Sequence, residues 1–340
     1  CTQVLSRLER FYRERKVQPY APYEASRLAG AEMDEARSRL AAMMGVEADE
    51  ISFGPSTTQN TYVLAQAFRG FISPGEATGH LNVDDLEDLL DESVRLVCFP
   101  HCSNLVGEIN PVTEITALAH AAGAFVCVDG VSYAPHGIPN AGDLGPDIYL
   151  FSAYKTYGPH QGIMMIRRAL ADLLPNQAHF FNGDARYKRF TPAGPDHAQV
   201  AACAGLADYA EALAAHHGAP AGTPAERAEF VHDLMRAQEV KLLQPLLDAL
   251  GERNDVRLIG PKDAALRAPT VALDLGRPAE PVAAALAGHG IMAGGGDFYA
   301  VRALDAMGID PAQGVLRLSF THYTTEKEVN KLIDALNAVL

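Results

Sequence analysis

The feature that most narrows the folds open to this sequence is an alternation, kept up from about Ala31 to Ile166, of helix-periodic segments with short apolar runs. Apolar residues fall at helical spacing over Met33 to Met44, Thr57 to Phe68, Val83 to Leu90 and Pro111 to Ala122. The runs that read as strands are Ile51-Ser52-Phe53, Leu96 to Phe99, Phe125 to Val128, Ile148 to Phe151 and Gly162 to Ile166. A strand apolar along its whole length is buried on both faces, so helices must cover both sides of the sheet. The expectation is an α/β fold whose larger domain carries a mostly parallel sheet. In such sheets ligands bind beyond the carboxyl ends of the strands.

The second half has a different grain. A helical stretch from about Ala198 to His216 gives way to Gly218-Ala219-Pro220-Ala221-Gly222-Thr223-Pro224, a turn-rich composition that marks a boundary. Beyond it the pattern predicts a helix over Ala225 to Leu250, strands near Val256 to Ile259, Thr270 to Leu275 and Val315 to Phe320, and a closing helix from Thr325. This is a smaller α+β C-terminal domain. We expect a large domain over 24–217 and a small domain over 218–340, with residues 1–23 packing on the small one.

A chain of 340 residues with 48% hydrophobic and 21% charged residues has the make-up of a globular protein with two lobes. Its net charge of -14 offers no basic field to offset repulsion by nucleic-acid backbones or anionic membranes, so neither is an expected partner. No apolar run reaches membrane-spanning length, and Cys1-Thr2-Gln3-Val4 lacks a basic region followed by an apolar stretch, so a cytoplasmic location is expected. The 5 cysteines are scattered, with Cys98 and Cys127 inside apolar strands and no metal-ligand spacing, and they read as reduced thiols.

Two of the predicted strands end on residues that carry chemistry. Asp129 closes Phe125-Val126-Cys127-Val128, and Lys155 follows Ile148 to Phe151 within Ser152-Ala153-Tyr154-Lys155-Thr156-Tyr157-Gly158-Pro159. A lysine and a carboxylate at the ends of buried strands are what a pyridoxal 5'-phosphate (PLP) site needs. The amine forms a Schiff base with the aldehyde, and the carboxylate keeps the pyridine nitrogen protonated. The same two residues also fit a solvated loop lysine and a turn aspartate. Gly54-Pro55-Ser56-Thr57-Thr58-Gln59-Asn60 joins a strand to a helix start with three hydroxyls, which can hold a phosphate or simply cap the helix. Ser152 is a further possible phosphate ligand.

Three segments in this order, Pro100-His101-Cys102-Ser103-Asn104-Leu105-Val106-Gly107, Val128-Asp129-Gly130-Val131-Ser132-Tyr133-Ala134-Pro135-His136 and Ser152 to Pro159, carry a likeness. The chain resembles the class V aminotransferase family of PLP enzymes, in the branch of cysteine desulfurases and selenocysteine lyases, from about Tyr23 to the C-terminus. The resemblance implies the PLP-dependent transferase fold, a homodimer and a small amino acid as substrate. It implies that Lys155 binds PLP and shuttles protons at the substrate Cα, and that Asp129 pairs with the pyridine nitrogen. Thr57, Thr58 and Ser152 would bind the phosphate, Asn104 would lie near the ring oxygen and the substrate carboxylate, and Arg317 would grip that carboxylate. Ser132 stands where desulfurases usually have a glutamine on the ring oxygen, so that contact is expected to be weaker. His136 matches a histidine to which we give a structural role.

The departures concern the reaction. Desulfurases carry a nucleophilic cysteine in a loop that matches Gly294-Gly295-Gly296-Asp297-Phe298-Tyr299-Ala300, and Tyr299 takes its position. A phenol cannot take up sulfur as a persulfide, which favours an aminotransferase over a desulfurase or other C-S or β-elimination lyase. Tyr154 replaces the histidine usual before the lysine. Gly194 stands near a threonine that supplies a phosphate contact across the dimer, leaving a backbone contact or His197. The chain is also shorter than its relatives between Ala77 and Thr78 and before Cys1, so segments are expected to be missing there, among them one bearing the aromatic residue that stacks on PLP. A non-catalytic scaffold is the rival from another class, and the joint presence of Lys155, Asp129 and Arg317 argues against it.

Overall fold

The computed structural model describes residues 1–67 and 83–340, so the expected shortage between Ala77 and Thr78 lies outside the described residues. The helices are α1 (Thr2–Glu14), α2 (Glu24–Met43), α3 (Thr57–Ala67), α4 (Val83–Leu89), α5 (Val112–Ala121), α6 (Ala141–Leu144), α7 (Arg168–Leu173), α8 (His197–Ala202), α9 (Ala204–His216), α10 (Pro224–Gly251), α11 (Glu280–Gly288), α12 (Val301–Ala306) and α13 (Glu326–Val339). The strands are β1 (Ile51–Gly54), β2 (Leu96–Pro100), β3 (Phe125–Asp129), β4 (Ile148–Ser152), β5 (Gly162–Ile166), β6 (Arg257–Ile259), β7 (Thr270–Asp274), β8 (Gly294–Gly296) and β9 (Val315–Ser319). Among the described residues no helix is long and apolar enough to cross a membrane.

The chain packs as two compact units. Of the described residues, the first takes in 1–67, 87–101 and 111–233, and the second 83–86, 102–110 and 234–340. In the first unit the sheet order is β1-β5-β4-β3-β2. β2, β3 and β4 are mutually parallel, and β5 runs antiparallel to both β4 and β1, so it is the one strand of this sheet pointing the other way. Cys127, Ile148, Leu150, Met164 and Ile166 pack with Val63 and Leu64 of α3. The residues that alternate with them, Val126, Val128, Tyr149, Phe151, Ile163 and Met165, are buried as well. Burial of both sets is what an unbroken apolar run demands.

The grouping of residues 1–23 differs from the expected one. α1 buries Val4 and Phe11, and Arg7 joins Glu35 of α2 at 2.8 Å and Asp208 of α9. Val4 sits where a Cβ on Gly205 would come within 2.7 Å of it. That close approach and the shared arginine tie α1 to the first unit. The boundary also falls later than the Gly- and Pro-rich turn at 218–224, because the 28-residue helix α10 runs through it and the division comes at Asp233 and Leu234.

The second unit is built on an antiparallel sheet in the order β6-β7-β9-β8. Leu242, Leu243, Leu246 and Leu247 of α10 pack with Val271, Leu273, Leu316 and Leu318 of the sheet and with Val329, Leu332 and Leu336 of α13. α13 opens with a reciprocal cap, in which Thr325 Oγ1 accepts from the Glu328 N–H and the Glu328 carboxylate accepts from the Thr325 N–H. β8 is a strand that its composition argues against, since glycine is depleted in strands. A Cβ on Gly295 would stand 2.5 Å from the Glu280 backbone nitrogen, so the middle position of β8 must lack a side chain to fit against the start of α11.

Candidate active site

The first unit gathers its chemistry-bearing residues at the carboxyl ends of neighbouring strands. In the β2–β3 register Pro100 lies opposite Asp129, and β3 runs on beside β4, where Asp129 lies opposite Leu150, two residues before Ser152. After Ser152 the chain tightens into a 3-10 turn, Ala153–Lys155, held by the Thr156 hydroxyl donating to the Ser152 carbonyl at 3.1 Å. Tyr157 takes a left-handed conformation (φ 66), and Gly158 passes so close to Ala153 that a Cβ would meet its carbonyl at 2.9 Å. The turn therefore ends β4 abruptly and presents the exposed Lys155 just past the strand end.

Asp129 is accessible to solvent yet hemmed in by protein, and that burial pushes its carboxyl above the ordinary carboxylate value. Two influences oppose the rise. The Val131 N–H donates to Asp129 Oδ1 at 2.9 Å, and the positive charge of Lys155 is near enough to pull the carboxyl down. The structure thus brings Asp129 and Lys155 within electrostatic reach of each other.

At the start of α3, Ser56 is spent on the helix, its hydroxyl accepting from the Gln59 N–H at 3.1 Å. Thr57 and Ser152, both buried, share a hydrogen bond of 2.8 Å between their hydroxyls. Thr58 is exposed on the first turn. The approach of β5 to this turn needs Gly162, because a Cβ there would lie 2.7 Å from the Thr57 nitrogen. Two converging hydroxyls at the N-terminus of an 11-residue helix, whose first-turn N–H groups lack intrahelical acceptors, form a donor set for a phosphate. With an amine that can bond an aldehyde and a carboxyl raised by burial, which a protonated ring nitrogen would relieve, the residues of this unit fit pyridoxal phosphate.

Ser132 is half-buried after the Asp129 turn, and His136 is buried in the 3-10 turn Ala134–His136. Tyr154 is exposed and stacks on His160 with ring centroids 4.7 Å apart. His197 is the first residue of α8, behind the Asp196 cap, and burial lowers its basicity.

Sequence reasoning singled out no role for a buried polar array beside Asp129. The His101 N–H of the backbone donates to the Asp129 carbonyl at 2.8 Å, its ring stacks on Tyr133 at 3.7 Å, and its Nδ1 is 2.8 Å from the Tyr149 hydroxyl. Tyr133 in turn reaches His232 Nε2 at 2.7 Å. Burial first, and the charge of His232 second, push His101 down to about 3, so its ring is neutral. The signal was available, since His101 follows the end of β2 as Asp129 ends β3.

In the second unit the structure brings Asn104 and Arg317 together. Arg317 Nη1 donates to the Asn104 carbonyl at 3.1 Å, and the Asn104 side-chain amide donates to the Phe298 carbonyl at 3.0 Å. The guanidinium carbon stands 3.9 Å from the Phe298 ring centre. Burial lowers the basicity of Arg317, which has no carboxylate partner among the described residues. Tyr299, at the position matched to the desulfurase cysteine, is fully exposed with φ 63.

The segment 102–110 that carries Asn104 is anchored by Arg267, which is wholly buried. Its guanidinium donates to the carbonyls of Val106 (2.8 Å), Thr270 (2.6 Å), Pro261 (2.7 Å) and Ile259 (3.2 Å). Gly107 packs against this arginine, and a Cβ there would stand 2.3 Å from the Thr270 carbonyl oxygen.

Comparison with known proteins agrees with this geometry. A family profile described as "Aminotransferase class-V" matches residues 71–332. The "Aminotransferase-like protein FGM3" of Gibberella zeae is 30% identical, over 99% of this chain and 90% of its own length. A cysteine desulfurase of Pectobacterium atrosepticum is 27% identical, over 99% of this chain and 89% of its own. Among solved structures, the fold is similar to the apo cysteine desulfurase of Thermococcus onnurineus NA1, with a TM-score of 0.84 and 22% identity over 99% of this chain and 91% of that one.

Proposed function

Because the chain belongs to the class V aminotransferase family and is a PLP-dependent enzyme, we propose that it acts on the α-amino group of a small amino acid by transamination, with Lys155 as the reacting amine. The observation that carries this reading is the pair at the ends of β3 and β4, a carboxyl raised by burial and an amine whose charge pulls it back. When bound, the cofactor supplies a protonated ring that draws in the electron pair left at Cα.

The chain's own residues have the following tasks in this reading. Asp129 holds a proton on the ring nitrogen, and binding a cation there offsets the cost of its burial. Thr57, Thr58, Ser152 and the first N–H groups of α3 bind the phosphate. Ser132 and Asn104 attend the ring oxygen. Arg317 receives the substrate carboxylate, for which its planar donor edge is suited. Lys155 would serve as the base that takes the proton from the substrate Cα and, for transamination, hands it on to the cofactor carbon that carried the aldehyde rather than back to Cα. We also propose a homodimer, as the family resemblance implies, with His197 as a phosphate contact from the partner subunit. A monomer by light scattering contradicts that.

A second reading, elimination at the substrate Cβ or C-S cleavage, draws on the similarity to the Pectobacterium cysteine desulfurase. Tyr299 in place of the thiol weighs against sulfur transfer. The test is intact mass and peptide mapping after PLP loading and borohydride reduction, then incubation of the loaded enzyme with simple amino acids. A pyridoxyl group on Lys155 and conversion of bound pyridoxal to pyridoxamine are the expected results. Pyruvate and sulfide from cysteine favour the second reading, and absence of a Lys155 adduct overturns both.

A further inference from the structure

We propose that Phe298 is the residue that positions Arg317 for the substrate carboxylate, a role that rests on the reading of Arg317 given above. The guanidinium carbon lies 3.9 Å from the Phe298 ring centre, which is face-on contact. Stacking fixes the plane of the guanidinium and covers one face, while Nη1 is held at 3.1 Å by the Asn104 carbonyl. What remains is the N–H edge, the part that binds a carboxylate with two hydrogen bonds. The arginine has no carboxylate partner among the described residues, so the ring and one carbonyl hold it in place without neutralising it.

The ring has a prepared seat. Gly294 lies directly opposite Arg317 in the β8–β9 register. A Cβ on Gly294 would stand 3.0 Å from both Cε1 and Cζ of Phe298, so the glycine leaves room for the ring over the arginine. Phe298 also packs against the cluster of Leu105, Val106, Leu304 and Val315. Its backbone is fixed separately. Phe298 and Tyr299 take left-handed conformations (φ 51 and 63), Asp297 Oδ1 accepts from the Tyr299 N–H at 2.9 Å, and the Phe298 carbonyl accepts from Asn104 at 3.0 Å. Asn104 thus binds Arg317 through its carbonyl and Phe298 through its amide. The turn is a fixed element whose ring serves the arginine, and Tyr299 points away into solvent.

The test uses the PLP-loaded enzyme and propionate, a carboxylate without an amine, with binding measured by calorimetry. F298A and F298L are expected to weaken propionate about tenfold, the size of a partly desolvated cation–π contact. F298Y is expected to restore it, and G294A, which crowds the ring while leaving residue 298 itself unaltered, to weaken it in the same direction. With the amino-acid substrate, F298A is expected to raise KM about tenfold and leave kcat within about twofold, the mark of lost ground-state binding. Wild-type propionate binding in F298A and F298L, with binding lost in R317A, overturns the role of Phe298 and leaves the reading of Arg317 standing. Wild-type binding in R317A overturns both. A fall in kcat with unchanged KM in F298A also overturns the proposal.

Discussion

In the first unit Asp129 and Lys155, the residues proposed to react, lie at and just past the ends of adjacent strands, whereas in the second Arg317 on a strand is held by a ring and a backbone carbonyl. The sheet register places Asp129 and Ser152 at the ends of β3 and β4, and the tight turn after Ser152 carries Lys155 just past the strand. The arginine depends on a segment, 102–110, that comes from another part of the chain and is anchored by Arg267. The residues proposed to hold the cofactor are thus placed by local structure, and Arg317 by contacts distant in sequence. Loss of a residue should accordingly abolish chemistry in one unit and loosen recognition or folding in the other.

The largest effect is expected from K155A. It should lower turnover on the order of 10³-fold or more while leaving the melting temperature of the cofactor-free protein unchanged, by steady-state assay and calorimetry. An active K155A enzyme would break the comparison at its root. Next is R267M, which removes the donor to four carbonyls, two of them in fully buried hydrogen bonds, and should cost about 3–5 kcal/mol in denaturant unfolding, with R267K recovering part of it. If R267M is as stable as wild type, segment 102–110 is not held as described.

A pH experiment sharpens the picture of the first unit. His101 titrates at about 3 in the folded chain and near 6.5 when unfolded. As pH falls below about 6.5 the unfolded chain takes up the proton first, so stability is lost between about pH 6.5 and 3 and is unaffected above that window. H101Q should flatten that acid limb by a few kcal/mol at most, and an unchanged limb would place the proton elsewhere. The smallest effect is expected from S152A, which removes one of the two converging hydroxyls and should weaken PLP about tenfold in a fluorescence titration. No change would remove Ser152 from the phosphate site.

Much of the first unit was legible in the chain. Apolar runs without alternation require a sheet covered on both faces, and β1 to β5 lie where those runs predict, with α3 starting at Thr57 as expected. Asp129, Ser152 and Lys155 were readable because strand ends follow from local patterning. β8 was not, since three glycines form a strand here because β9 offers an edge, while α11 leaves no room for a side chain at Gly295 and Phe298 none at Gly294. The stretch from Ala198 to His216 is two helices, α8 and α9, with Cys203 between them, a break that periodicity does not mark.

By itself, then, the sequence determined the α/β architecture, the places of Asp129 and Lys155 at the ends of neighbouring strands and the family, because these rest on short-range periodicity and on motifs in fixed order. Tertiary structure alone decided that α1 joins the first unit, that 102–110 joins the second, and that the Phe298 ring and the Asn104 carbonyl attend Arg317. Those outcomes depend on charge pairs, glycine clearances and buried carbonyls supplied by segments far apart in the chain, and no local pattern records which partners meet.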